Sequence, residues 1–183
     1  GIIEPGIIVD GKSGISGAGR GLALGYHFAE ADEDFVAYGL KGHRHLPEIT
    51  QELSQLAESP APRVTFVPHL VPMVRGIEET CYADLRLDRL GGDPAAEVLA
   101  LYRDFYQAAL FTRVVEAAPH SKHTAGTNYC LIHPTVDRRT GRLVVSACLD
   151  NLVKGASGQA VENMNLMLGL PQGAGLGGAA LYP

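Results

Sequence analysis

The stretch YCLIHPTVDRRTGRLVVSACLDN, residues 129–151, decides the fold. Two apolar, β-branched runs, residues 129–135 and 142–149, flank the polar link DRRTGR. Runs of strand length joined by so short a Gly-containing link read as an antiparallel hairpin. Working outward, residues 77–87 form a third long strand, because Cys81, Ala83, Leu85 and Leu87 alternate with polar neighbours. Shorter strands are expected at 7–9 (buried), 35–38, 64–67 and 114–116. Three helices are expected among them. Residues 47–58 carry the stripe Ile49, Leu53, Leu56, Ala57, with Pro47 at the first helical position. Residues 94–110 follow the N-cap Asp93, with Val98, Tyr102, Phe105 and Ala109 facing inward. Residues 156–168 end at Gly169. Strands outnumber helices, and hairpin-length links join several of them. This predicts an α+β fold, a mostly antiparallel sheet with helices on one face, rather than regular β-α alternation.

The 183 residues suffice for one domain, read as 1–183. Net charge is −5, which argues against a general nucleic-acid binder. No apolar run reaches membrane-spanning length, and no signal peptide is visible, so a cytoplasmic protein is expected. The three cysteines, Cys81, Cys130 and Cys148, are unclustered and lie in apolar runs, which reads as buried small hydrophobes. GAGLGG (Gly173, Gly175, Gly178) fits the dinucleotide-binding spacing, but it follows a helix end and precedes no helix, so it is a flexible tail.

The chemistry gathers in KGHRHLPE, residues 41–48. His45 lies just ahead of a helix start, where the positive end of the dipole disfavours imidazolium and leaves a ring able to accept a proton. Glu48, in the first turn, complements the dipole and is placed to orient that ring. On the residues alone, a simple capping role for His45 stands beside the chemical one. His43, two residues earlier in the same stretch, competes for the same role. The pair lacks a third ligand for a metal, and none is expected. Arg20, Arg44 and Arg75 are candidate anion holders. Arg20 ends a Gly/Ser loop at 10–21, in which Ser13 and Ser16 and backbone N–H groups could line an oxyanion-sized pocket.

DGKSGISGAGR, GLKGHRHLPEI, FVPHLVPMVRGI, GTNYC and DNLVKGASGQAVENMNLMLGLP follow one another in this order. Together they resemble the C-terminal half of the N-acetyl-γ-glutamyl-phosphate reductases of arginine biosynthesis, over nearly the whole chain. The resemblance implies the catalytic and dimerisation domain shared with aspartate-semialdehyde and glyceraldehyde-3-phosphate dehydrogenases. It implies an NADP-dependent reduction of an acyl phosphate to a semialdehyde through a cysteine thioester. His45 and Glu48 would be catalytic. Ser13, Ser16, Arg20, His43, Arg44 and Arg75 would bind substrate. Asn151, Gly155 and Ala156, opening the last helix, would face the nicotinamide with free N–H groups and room for a flat ring. The family's NADP-binding Rossmann domain and its GCYPT-like nucleophile motif are not in this sequence, which opens GIIEPG without a methionine. A fragment or split subunit is therefore expected, inactive by itself and associating as a dimer or tetramer. A relative acting on N-acetyl-aminoadipyl phosphate in lysine biosynthesis, and a non-catalytic dimerisation module, are the alternatives.

Overall fold

A computed structural model describes residues 1–57 and 62–182. Glu58, the last residue of the first expected helix, and most of the SPAPR break lie outside the described residues. In chain order the elements are β1 (Ile3–Gly14), a single turn α1 (Phe28–Ala31), β2 (Val36–Ala37), α2 (Leu46–Leu56), β3 (Arg63–Val71), β4 (Ile77–Leu85), α3 (Pro94–Tyr106), β5 (Thr112–Val114), β6 (Cys130–Asp137), β7 (Arg142–Leu149) and α4 (Gly158–Met167). A wide π-type turn, Val153–Ser157, leads into α4. The strands form one sheet in the order β2-β3-β1-β4-β7-β6-β5. Only β1–β3 and β5–β6 pair in parallel, so the sheet is mostly antiparallel.

The 129–151 stretch folds as its pattern requires. β6 and β7 pair from Cys130↔Leu149 to Asp137↔Arg142. The link closes through the amides of Thr140 and Gly141, both donating to the Asp137 carbonyl, with Gly141 at φ 68°. β7 then pairs with β4 along its length. Strand alternation sorts the side chains. Leu85, Ile132, Leu143 and Val145 share one face and, with Val98 of α3, form the buried core. Asp93 caps α3 by accepting from the amides of Ala95 and Ala96. Tyr106, not Phe105, completes the inner stripe; Phe105 is exposed.

β1 departs most from expectation. It runs for 12 residues, well beyond 7–9, and Ile8 is exposed. The reason is its position. Residues 10–14 pair with β3 on one side, and 10–13 with β4 on the other. Ladder bonds on both edges override the weak strand propensity of DGKSG. Only residues 15–21 remain of the expected Gly/Ser loop.

The tail is also more ordered than its glycines suggest. Asn165 Nδ2 donates to the carbonyls of Gln172 and Ala174, and the Leu181 amide donates to the Ala125 carbonyl.

Candidate functional site

At one end of the sheet β1 finishes, β4 begins and β7 finishes: Ser13 pairs with Ile77, and Ile77 with Leu149. The segment after β1 interlocks there with the segment before β4. The amides of Gly14, Ile15 and Ser16 donate to the carbonyls of Gly76, Met73 and Val74 at 2.9, 2.9 and 3.1 Å. Gly14 is needed for this approach, since a Cβ would come within 2.8 Å of the Val74 carbonyl oxygen. Gly76, at φ +109°, is needed for the turn. Asn151 clamps the joint. Its Oδ1 accepts from the Gly76 amide at 2.8 Å, and its Nδ2 donates to Ser16 Oγ at 2.9 Å. Ser13, Ser16, Arg75 and Asn151 are thus brought together from three distant motifs.

Behind Asn151 lies Asp150, which is fully buried. Its Oδ1 accepts from Arg75 Nη2 at 2.9 Å and from the amides of Leu152 and Val153 at 2.8 and 3.0 Å. Its Oδ2 lies 2.8 Å from Arg75 Nη2 and accepts from the Gly126 amide at 2.6 Å. Burial works to raise this carboxyl's pKa. The hydrogen bonds from Arg75, Gly126, Leu152 and Val153 outweigh it and hold the pKa below the usual carboxylate range. Two expectations are corrected here. Arg75 is not a free anion holder, because its guanidinium is ion-paired inside the protein. Nor does the last helix open on free N–H groups, because Asp150 consumes the Leu152 and Val153 amides and its carbonyl takes that of Gly155.

Gly155 lies within the turn Val153–Ser157. A Cβ there would meet Leu149 Cδ1 at 3.3 Å and the Asp150 carbonyl at 3.4 Å, so its missing side chain serves packing against the sheet. Gly155, Ala156 and Ser157 nevertheless present an exposed outer surface. Lys154 turns inward to Glu162 at 2.7 Å, where Asn128 and Gln172 also donate.

The histidines form a second group, over β3. His45 begins α2, yet its side chain makes no cap bond. The capping alternative therefore fails for the ring itself. His43 does the local work instead: its Nδ1 accepts the His45 amide at 3.2 Å. Its ring packs edge-on against Phe66 at 5.2 Å and Tyr38 at 5.6 Å, while His45 crosses it at 4.8 Å. Burial first, then the charges of His45 and Arg44, lowers the His43 pKa, so its ring is neutral near pH 7. His45, Arg44, Glu48 and Arg20 are exposed. Among the described residues Glu48 makes no hydrogen bond to either imidazole, so it does not orient His45. Arg20 and Arg44 make no ion pair there. Phe66 lies five residues before the end of β3, about 16 Å along the strand from the joint at the sheet end.

Sequence reasoning missed Asp150 and Glu79. The Asp that precedes a Gly-rich helix start is a capping signal, and it was available at Asp150. Glu79 follows from the alternation that places Cys81, Ala83 and Leu85 inward, since Glu79 is the next position on that face. Its carboxyl rests on Gly11, where a Cβ would lie 2.7 Å from Oε2, and Oε2 is buried with no hydrogen-bond partner. Burial, then the charge of Glu78, raises its pKa to about 7. The cysteines are free, with Cys148 buried and Cys81 and Cys130 half-buried. Burial raises all three thiols, Cys81 and Cys148 to about 12. Among the described residues no group of three or more His, Cys, Asp or Glu is placed to hold a metal, and no helix is long and apolar enough to cross a membrane.

Residues 1–151 match the model for "Semialdehyde dehydrogenase, dimerisation domain", and the chain belongs to that family. It is 55% identical over 181 residues to the N-acetyl-γ-glutamyl-phosphate reductase of Pelotomaculum thermopropionicum, covering 97% of this chain and 50% of that protein. The reductase of the same name from Dehalococcoides mccartyi strain CBDB1 is 50% identical over 184 residues, covering all of this chain and 52% of the relative. The chain thus spans about half the length of the curated relatives it matches. The fold is that of aspartate semialdehyde dehydrogenase II from Vibrio cholerae, with a TM-score of 0.66 at 16% identity over 92% of this chain and 55% of that one. A probable aspartate-semialdehyde dehydrogenase from Pseudomonas aeruginosa gives 0.64 at 15% identity, over 89% and 55%.

Proposed function

We propose that this chain is the catalytic and dimerising half of an NADP-dependent reductase that converts N-acetyl-γ-glutamyl phosphate to N-acetyl-glutamate semialdehyde and phosphate. The observation that carries the reading is the 55% identity, across 97% of the chain, with a reductase of that name. The clamped joint adds to it, because Asn151 ties three of the shared motifs into one place. In this reading a Rossmann domain and a nucleophilic cysteine lie outside these residues. The buried and half-buried cysteines here, with thiols raised by burial, are unsuited to the nucleophile's role.

His45 accepts and returns the proton: its ring is exposed, free of any cap bond and at the positive end of α2. His43 supports it from below as a neutral, packed ring, within reach of substrate. Glu48 contributes only its charge at the helix start. Arg20 and Arg44, exposed and unpaired among the described residues, meet the substrate's anionic groups. Ser13 and Ser16 line the joint beside Arg75. A nicotinamide, when bound, supplies hydride to the acyl carbon. The exposed surface of Gly155 and Ala156, anchored by Asn151, fits an edge contact with such a flat ring, although it is no dinucleotide site by itself. A second copy of the chain would pair with this domain, as the family description indicates. The protein works without nucleic acid or membrane, in the cytoplasm.

The test is kinetic, on the native gene product with N-acetyl-γ-glutamyl phosphate and NADPH. His45→Asn should lower kcat by about 10²–10⁴-fold with a smaller change in KM, the range for a lost general acid/base. His43→Asn should be milder. A crippled His43→Asn beside a nearly silent His45→Asn would move the proton shuttle to His43. Wild-type protein with no turnover would refute the reading.

A further inference from the structure

We propose that Asp150 is a positioning residue of this site, acting on the substrate through Arg75 by holding its guanidinium in one orientation. The inference rests on the reductase reading above. Asp150 sits outside the chemistry: it is fully buried and touches no open surface. Its two oxygens nevertheless bind the Arg75 guanidinium at the joint and the first amides of the turn that Asn151 anchors. Arg75 enters from the segment before β4, and residues 150–153 from the end of β7. The Asp150 carboxylate therefore helps to fix the spacing between two elements that no backbone ladder joins at that point, beside the bond from the Gly76 amide to Asn151 Oδ1.

The arrangement also defines what Arg75 can offer. Nη2 is spent on Asp150, and Nε is buried without a partner. Among the described residues Nη1 has no protein partner, and the side chain is about one-third exposed at 36%. A guanidinium held by one nitrogen presents its remaining N–H donors in a set direction. Its charge is already balanced by Asp150. Such a pair suits a neutral oxygen acceptor, such as the substrate's amide carbonyl, more than a phosphate. Arg20 and Arg44 carry no such counter-charge, which leaves the anionic groups to them.

The experiment is a double-mutant cycle on the native gene product, read as KM and kcat for the acyl phosphate. Arg75→Ala and Asp150→Asn should each raise KM by about tenfold or more, with kcat changed less than about threefold. The double variant should be no worse than the poorer single, because Asp150 acts only through Arg75. An unchanged KM in Asp150→Asn, or a double variant whose KM rises by the product of the two singles, overturns the proposal. Should Asp150→Asn fail to fold, chemical rescue decides. Guanidinium at about 20 mM should restore the KM of Arg75→Ala toward wild type, because the intact Asp150 carboxylate receives it, whereas sodium chloride at equal ionic strength should not. No rescue overturns the proposal. In every arm the wild type is the control: its inactivity would refute the functional reading, whereas an active wild type with an additive cycle refutes only the role of Asp150.

Discussion

Replacing Glu79 by glutamine should stabilise this domain increasingly as pH rises from about 5 to about 7, and do little below about pH 4.5. Glu79 sits on the inward face of β4, with Oε2 buried, no hydrogen-bond partner for that oxygen, and a pKa raised from 4.5 to about 7 by burial and the charge of Glu78. A group whose folded pKa is raised gives stability that is full below its unfolded value and is lost as pH rises through the folded value. The window here runs from 4.5 to about 7. At 1.36 kcal/mol for each tenfold, that gap amounts to about 3 kcal/mol of penalty once both states are ionised. The substituted amide keeps the shape and cannot ionise, so it escapes the penalty. The advantage of Glu79→Gln over wild type should grow by about 2 kcal/mol between pH 5 and pH 8. Urea unfolding followed by far-ultraviolet circular dichroism measures it, and tyrosine emission is a second probe, since the chain has no tryptophan. Protein concentration must be fixed, because association also contributes to apparent stability. A difference that is equal at the two pH values would mean that Glu79 titrates normally. A loss of stability at pH 8 would mean that a partner holds the ionised carboxylate.

Asp93→Ala removes the acceptor for the Ala95 and Ala96 amides and should cost about 1 kcal/mol in the same unfolding assay, with Asp93→Ser recovering most of it. A thiol reagent at pH 8 should label none of the three cysteines in the native state and all three in denaturant, because burial raises every thiol. Fast labelling of Cys81 or Cys130 would show that the face between β1 and α3 opens.

Legibility followed the range of the interaction. The β6–β7 hairpin and the Asp93 cap depend on neighbours a few residues away, and the sequence pattern predicts both. β1 does not read as a long strand, because what makes Asp10–Gly14 extended lies far off in β3 and β4. The site shows the same limit. KGHRHLPE marks a place where chemistry gathers, but which imidazole is packed and which is free depends on Phe66 and Tyr38. Arg75 is an arginine in a loop by sequence and becomes half of an ion pair only through the buried Asp150. Glu79 is legible by counting twos along β4, as the one charged residue in an otherwise apolar alternation; its burial against Gly11 is not.

The place of β1 in the middle of the sheet sets an order of assembly. Strands β4, β7, β6 and β5 lie on one side of it, and β3 and β2 on the other. The β6–β7 hairpin closes within a few residues and can form early. β1 reaches β4 across some 64–82 positions of sequence and β3 across 57. Closing such distances costs chain entropy before any contact rewards it, so these pairings should come late. The interlock of residues 14–16 with 73–76 cannot exist until β1 has docked, and the crossover from β1 to β3 carries the histidines. Both halves of the candidate site therefore depend on long-range pairings that should form after the β6–β7 hairpin. A ligand that spans them should act on the unfolding rate, holding shut a seam that only distant pairings close.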